Sequence, residues 1–198
     1  MTSLARFSLG ALMVSVMAAC SRTVEWQEEV PLNTGDTIWV TRTVEYAVQG
    51  AGGNPFDLRY RPLKDEAISF QWAGKRYKYH GDADLILLAI SPQSRPVLVA
   101  PAADKDWDWN HDYLCTRPHY VQLVPDDSGM KWRWPSQIER WLFGLSANLM
   151  TKRRPPAEMK GTYSARDRAD EDATALMQYP PARKIDPTYE TRNCKHGD

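Results

Sequence analysis

Apolar and polar residues alternate with a period of two through several stretches between Thr23 and Trp134, the pattern of strands with one face buried. Thr23 to Leu32 and Thr37 to Val48 read as a hairpin around Asn33-Thr34-Gly35-Asp36. In the second arm Ile38, Val40, Val44 and Tyr46 share one face and Thr37, Thr41, Thr43 and Glu45 the other, while Arg42 interrupts the apolar face and Trp39 the polar one. Gln49 to Asn54, with three Gly and Pro55 behind it, reads as a flexible loop. A second hairpin joins Glu66–Trp72 to Lys75–His80 through Ala73-Gly74, with Ile68, Phe70 and Trp72 alternating on one arm and Tyr77 and Tyr79 on the other. Leu85 to Ile90 is apolar on both faces, as expected of a central strand covered on both sides. Val97–Ala100 follows a turn bracketed by Pro92 and Pro96, and His119–Val124 pairs with Met130–Trp134 through Asp126-Asp127-Ser128-Gly129.

After Trp134 the period changes. Ser136 with Glu139 forms a capping box, and Ile138, Trp141, Leu142, Leu145 and Leu149 recur at helical spacing, which predicts a helix of two to three turns on the sheet, weakened by Gly144. Lys152-Arg153-Arg154-Pro155-Pro156 is a basic linker stopped by proline. It either stays solvated or touches anionic lipid head groups. A second, surface helix is expected over Ala165–Met177, with a thin stripe of Ala165, Ala169, Ala173, Leu176 and Met177, and beyond Pro180-Pro181 an extended tail anchored only by Cys194. The expected fold is mainly β (α+β), an antiparallel meander of hairpins with one or two C-terminal helices packed on it.

The leader sets the compartment. Arg6 is the only charge in the first nineteen residues, and Phe7–Ala19 is a run of thirteen apolar or small residues, short of the roughly 20 a helix needs to cross a bilayer. A basic start, a short apolar middle and a small-residue end describe a signal peptide. Val16-Met17-Ala18-Ala19-Cys20 resembles a bacterial lipobox, with Met17 where Leu is usual. The resemblance implies loss of residues 1–19 and acylation of Cys20, leaving residues 20–22 as a lipid anchor, 23–151 as a β-rich domain with the first helix, and 152–198 as linker, surface helix and tail. Two or more acyl chains anchor stably where one does not. Ser21, where the family's inner-membrane retention signal has Asp, implies the outer membrane. A second resemblance is carried by Glu25-Trp26-Gln27-Glu28-Glu29-Val30, the Gly-containing turn and Ile38-Trp39-Val40. Over about thirty residues these are similar to an uncharacterised group of proteobacterial envelope lipoproteins, which transfers no functional residue.

The 198 residues carry 25 basic and 25 acidic side chains. Without Arg6 the mature chain has a net charge of −1, which argues against nucleic acid as a partner. Eight Trp and nine Tyr suit an aromatic core or a binding face. With Cys20 acylated, Cys115 and Cys194 are left, and in an oxidising compartment a disulfide between them is expected; the alternative is a buried Cys115 and a free Cys194.

The densest candidate ligand site is Asp106, Trp107, Asp108, Trp109 and His111. Its alternating oxygens suggest a cation loop, but starting the count at Asp104 or at Asp106 puts the wrong residues where the calcium loop needs its Gly and its bidentate Glu. An irregular cation site, a sugar-stacking site and a solvated loop whose Trp rings cap the core stay open. His80, Asp82 and Asp84 with His111 and Asp112 could assemble a metal or acid-base cluster, without any zinc spacing. Neither a nucleophile elbow nor a phosphate loop occurs. The reading is therefore a lipid-anchored envelope protein that binds or scaffolds something at the periplasmic membrane face, an envelope protein being one candidate partner, with no catalytic residue, metal or cofactor assigned. Its alternatives are an immunity or exclusion lipoprotein that blocks a toxin or phage component, and a small hydrolase or metal-dependent enzyme.

Overall fold

The computed structural model describes residues 21–51, 54–102, 117–135, 137–151, 156–168 and 183–190. The chain is mainly β. One sheet holds β1 (Ser21–Pro31), β2 (Thr37–Ala51), β3 (Asn54–Trp72), β4 (Lys75–Gly81) and the short β9 (Thr162–Tyr163), in the order β4-β3-β2-β1-β9. The other holds β5 (Leu87–Ile90), β6 (Pro96–Pro101), β7 (Tyr120–Pro125) and β8 (Trp132–Arg133), in that order. Every pairing is antiparallel except β1 with β9.

The hairpin turns form where their residues allow them. Gly35 sits at φ 92°, and the Leu32 N–H donates to the Asp36 carbonyl over 2.8 Å. Ala73 and Gly74, both at positive φ, make the two-residue turn whose hand matches strand twist. In the β7–β8 turn one Asp126 carboxylate oxygen accepts the N–H groups of Ser128, Gly129 and Lys131. Gln49, Gly50, Ala51 and Asn54, expected within a loop, instead belong to a long ribbon: Gln49 pairs with Arg59, Gly50 with Leu58 and Ala51 with Asn54. Val44 faces Glu66 but Tyr46 faces Pro62, so four β3 residues span what two β2 residues span. Because that slip is even, the same side chains stay inward.

The inner face of the first sheet (Val30, Val40, Ile68, Phe70, Tyr77, Tyr79) packs on Leu88, Ile90, Leu98, Ala100, Val121 and Leu123 of the second. The second sheet's far face, with Leu87, Ala89, Val97, Val99 and Tyr120, is covered by Ile138, Leu142 and Ile185. Burial of β5 on both faces is therefore as expected, but β5 is an edge strand by hydrogen bonding. Its open edge is closed by amide side chains: Asn148 Oδ1 accepts the Leu88 N–H (2.8 Å) and Asn148 Nδ2 donates to the Leu88 carbonyl (2.7 Å). Asn33 does the same for Ile90, at 2.7 and 2.9 Å. An amide presents the same donor and acceptor as a peptide group, so two asparagines stand in for a missing strand.

The helix predicted over the 138–149 region does not form; one 3-10 turn at Arg140–Leu142 takes its place. Glu139 is extended, and its N–H goes to Gln122 Oε1 at 2.7 Å rather than to a capping serine. Gly144 at φ 86° breaks the helical path. The N–H groups of Gly144 and Ala147 donate to the carbonyls of Ile185 and Arg183. The apolar spacing there belongs to a covering layer, with Leu149 reaching into the core between the sheets. The segment 183–190, expected as a loose tail, is the other half of that layer: Ile185 is buried and Tyr189 packs on His119 and Tyr120. At 165–168 the chain is helical, opened by reciprocal bonds between Ser164 and Asp167 that hold the Asp167 carboxyl below its usual range. The remainder of the predicted second helix lies outside the described residues.

Candidate functional site

Cys20, Cys115 and Cys194, together with Asp106, Trp107, Asp108, Trp109, His111 and Asp112, lie outside the described residues. Of the second constellation His80, Asp82 and Asp84 are described. His80, on β4, is exposed, Asp82 is half-buried and Asp84 exposed. The buried Ala83 lies between the two acids and donates its N–H to the Tyr79 hydroxyl at 3.4 Å. His80 and Asp82 line a cleft of about 600 Å³ with Lys78, Met130, Lys131 and Trp132, where β4 meets the β7–β8 turn. The Trp132 indole N–H holds that seam by donating to the Lys78 carbonyl at 2.8 Å. Among the described residues no group of three or more His, Cys, Asp or Glu could hold a metal. The cleft thus joins a histidine and one carboxylate with two lysines.

Among the described residues, a buried ionic triad lies under the first sheet. Glu28 on β1, Arg42 on β2 and Glu66 on β3 all point inward, and none is more than 1% exposed. Arg42 faces Trp26 on one side and Ile68 on the other, so Glu28 and Glu66 are its diagonal neighbours, within reach of long side chains. One guanidinium nitrogen donates to Glu28 Oε1 at 2.9 Å and another to Glu66 Oε2 at 2.7 Å. The remaining carboxylate oxygens accept backbone N–H groups from outside the sheet, Met150 to Glu28 (3.0 Å) and Leu85 to Glu66 (3.2 Å). Burial pushes the Glu28 carboxyl up, offset only in part by Arg42, the Met150 N–H and Arg168. For Arg42 burial acts downward, but the two glutamates outweigh it and raise the guanidinium further. With each carboxylate oxygen occupied, the triad is a cross-link of three strands and two crossing segments, not a reactive site.

The sequence contained the signal for it. Glu28 falls in phase with Val24, Trp26 and Val30, and Glu66 with Ile68 and Phe70. Three inward charges on three successive strands, with signs that pair, go unnoticed when each strand is read alone.

The outer face of the first sheet is open and polar. Gln27, Thr41, Ser69 and Lys78 make one row across it, and Glu25, Thr43, Ala67 and His80 the next. Trp39, opposite Glu29 on β1, is 49% exposed there. A depression of about 390 Å³ beside it is lined by Thr41, Ser69, Gln71 and Arg76, and a second of about 450 Å³ by Thr23, Thr43, Glu45, Asp65 and His80.

No family model, no curated protein and no solved structure matches this chain.

Proposed function

We propose that this is a lipid-anchored envelope protein with a non-catalytic binding or scaffolding role at the periplasmic face of the outer membrane. The observation that carries the reading is the junction at Cys20. The lipobox-like Val16–Cys20 is followed at once by β1, which opens at Ser21. Acyl chains on Cys20 would hold the sheet against the bilayer with no linker between, and a tethered module gains local concentration for whatever it binds. On this reading the molecule has a proximal and a distal end. Ser21 pairs with Ala47, and β2 continues past it to Ala51, about 13 Å at the usual strand rise. The β2–β3 ribbon is then the membrane end and the Asn33–Asp36 turn the far end. The open face of the first sheet, polar and free of β-strand cover among the described residues, is the surface left for a partner.

Intact mass of the protein purified from membranes is expected to show loss of residues 1–19 and addition of lipid, and Cys20→Ala to abolish the lipid. Recovery of the full-length chain from the soluble cytosol with its leader intact would overturn the reading. Thiol labelling without reductant checks the proposed Cys115–Cys194 disulfide, which rapid modification of both cysteines would exclude.

A further inference from the structure

Trp39 is out of place for a solvated strand face. Its neighbours in phase on β2 are Thr37, Thr41, Thr43 and Glu45, yet it leaves half of a large indole in water. Among the described residues it has no ring partner and no acceptor for its N–H. The side chains that line the depression beside it are in the same condition: Thr41, Ser69, Gln71 and Arg76 have no side-chain hydrogen bond or ion pair among the described residues. Some other surface polar groups pair with each other, as Asp126 does with Ser128, Arg95 with Asp127 and Thr188 with Asp186. Gln71 pairs with Arg76 across β3 and β4, so an amide and a guanidinium stand side by side next to the ring.

The geometry points to a saccharide site, with a sugar ring stacked on Trp39 and its hydroxyls held by Gln71, Arg76 and Thr41. An indole offers a flat apolar surface with a polar edge. The amide both donates and accepts, the guanidinium offers five donors and the hydroxyl both functions, which together match a ring with one apolar face and a rim of hydroxyls. Other partners fit less well. A stable protein interface buries about 800 Å² a side around an apolar core, whereas Trp39 is, among the described residues, the single large apolar side chain more than a third exposed on this face. A nucleic acid needs a positive surface, whereas Glu25, Glu29, Glu45 and Asp65 lie on the same face as Arg76 and Lys78.

This inference rests on the binding-module reading and names its ligand class. Its test uses the mature protein purified in detergent, with fluorescence anisotropy of two labelled probes, a hexamer of N-acetylglucosamine (neutral) and a hexamer of galacturonic acid (acidic). At least one is expected to bind, with Trp39→Ala weakening it about tenfold or more and Trp39→Tyr keeping most of the affinity. Arg76→Ala is expected to weaken the acidic probe more than the neutral one if a uronate carboxylate is recognised, and both equally if only hydroxyls are. Absence of binding by either probe, or unchanged binding by Trp39→Ala, would overturn the saccharide site while the mass measurement on Cys20 stands apart. So would an envelope protein captured by the wild type and lost in Trp39→Ala, which would make the face a protein interface.

Discussion

On β2, the inner and outer faces of the first sheet each carry one residue that runs against their pattern, three positions apart, and the two have opposite fates. Arg42, a charge among apolar residues, is closed in: its guanidinium meets two carboxylates, and those carboxylates meet backbone N–H groups from the 85 and 150 segments. Trp39, an apolar ring among polar residues, is left open beside side chains with unused donors and acceptors. A misplaced charge that is buried and paired with opposite charges is part of the scaffold, even though Arg42 Nε and the Trp26 indole N–H have no hydrogen-bond partner among the described residues. A misplaced side chain left in water with unsaturated surroundings is where a ligand can be recognised. Function on this sheet is therefore sought on the solvent side, although the larger electrostatic perturbation lies inside.

The largest effect should come from opening the closed site. Arg42→Met removes the cation that is hydrogen-bonded to both buried carboxylates, and removing one partner of a buried ionic group costs about 3–5 kcal/mol. Denaturant unfolding should show that loss. The triple variant Glu28→Gln, Arg42→Met, Glu66→Gln removes the charges but keeps acceptors for the Met150 and Leu85 N–H groups, and it is expected to recover more than half of the stability. If the triple variant were no better than Arg42→Met, shape rather than charge would be holding the site.

The pH profile sharpens the same point. Burial raises the Glu28 carboxyl above its ordinary value of 4.5, so the folded state binds this proton more tightly than the unfolded chain. That contribution to stability is fully present below the ordinary value and is lost as pH rises through the raised one. The difference in melting temperature between wild type and Glu28→Gln should accordingly shift against the wild type as pH rises above about 4.5. A shift in its favour would mean that Arg42 holds Glu28 ionised more strongly than burial opposes it.

Next in size is the edge of the second sheet. Asn148→Ala removes partners from the Leu88 N–H and carbonyl and from the Pro31 carbonyl. A buried group left unsatisfied costs about 1–3 kcal/mol, so a loss of about 2–3 kcal/mol is expected, with faster hydrogen exchange at Leu88. Asn33→Ala, whose bonds to Ile90 are only part-buried, should cost about 1 kcal/mol. Equal losses would mean that the depth of the amide makes no difference.

Strand positions and hairpin turns were legible because they depend on local chemistry: Gly35, Gly74 and Asp126 fix their turns, and alternation fixes the faces. The layer over 138–149 was misread because a segment covering a sheet can place Ile138, Leu142 and Leu145 at helix-like intervals while its N–H groups pair with 183–185. The role of that distant segment, the asparagine caps and the ionic triad all depend on which strands become neighbours, which no single stretch records. For the candidate site, Trp39 and Arg42 were legible only as exceptions. What distinguishes them is that Arg42 is buried between two carboxylates and Trp39 is half in water, and that is a property of register.

The smallest effect on stability makes the comparison sharpest. Trp26 and Trp39 lie on adjacent strands of one sheet, the first 1% and the second 49% exposed. Trp26→Ala empties a site packed with Val24, Val44, Tyr46 and Tyr163 and should cost about 3–5 kcal/mol. Trp39→Ala removes a ring that holds nothing in place, and exposed substitutions of that kind fall within about 0.5 kcal/mol. Thermal unfolding of the two variants should separate them cleanly. If Trp39→Ala unfolded as readily as Trp26→Ala, the indole would be a structural cap on the sheet. An unchanged melting temperature together with lost sugar binding would mark Trp39 as a residue the fold does not require and the ligand does.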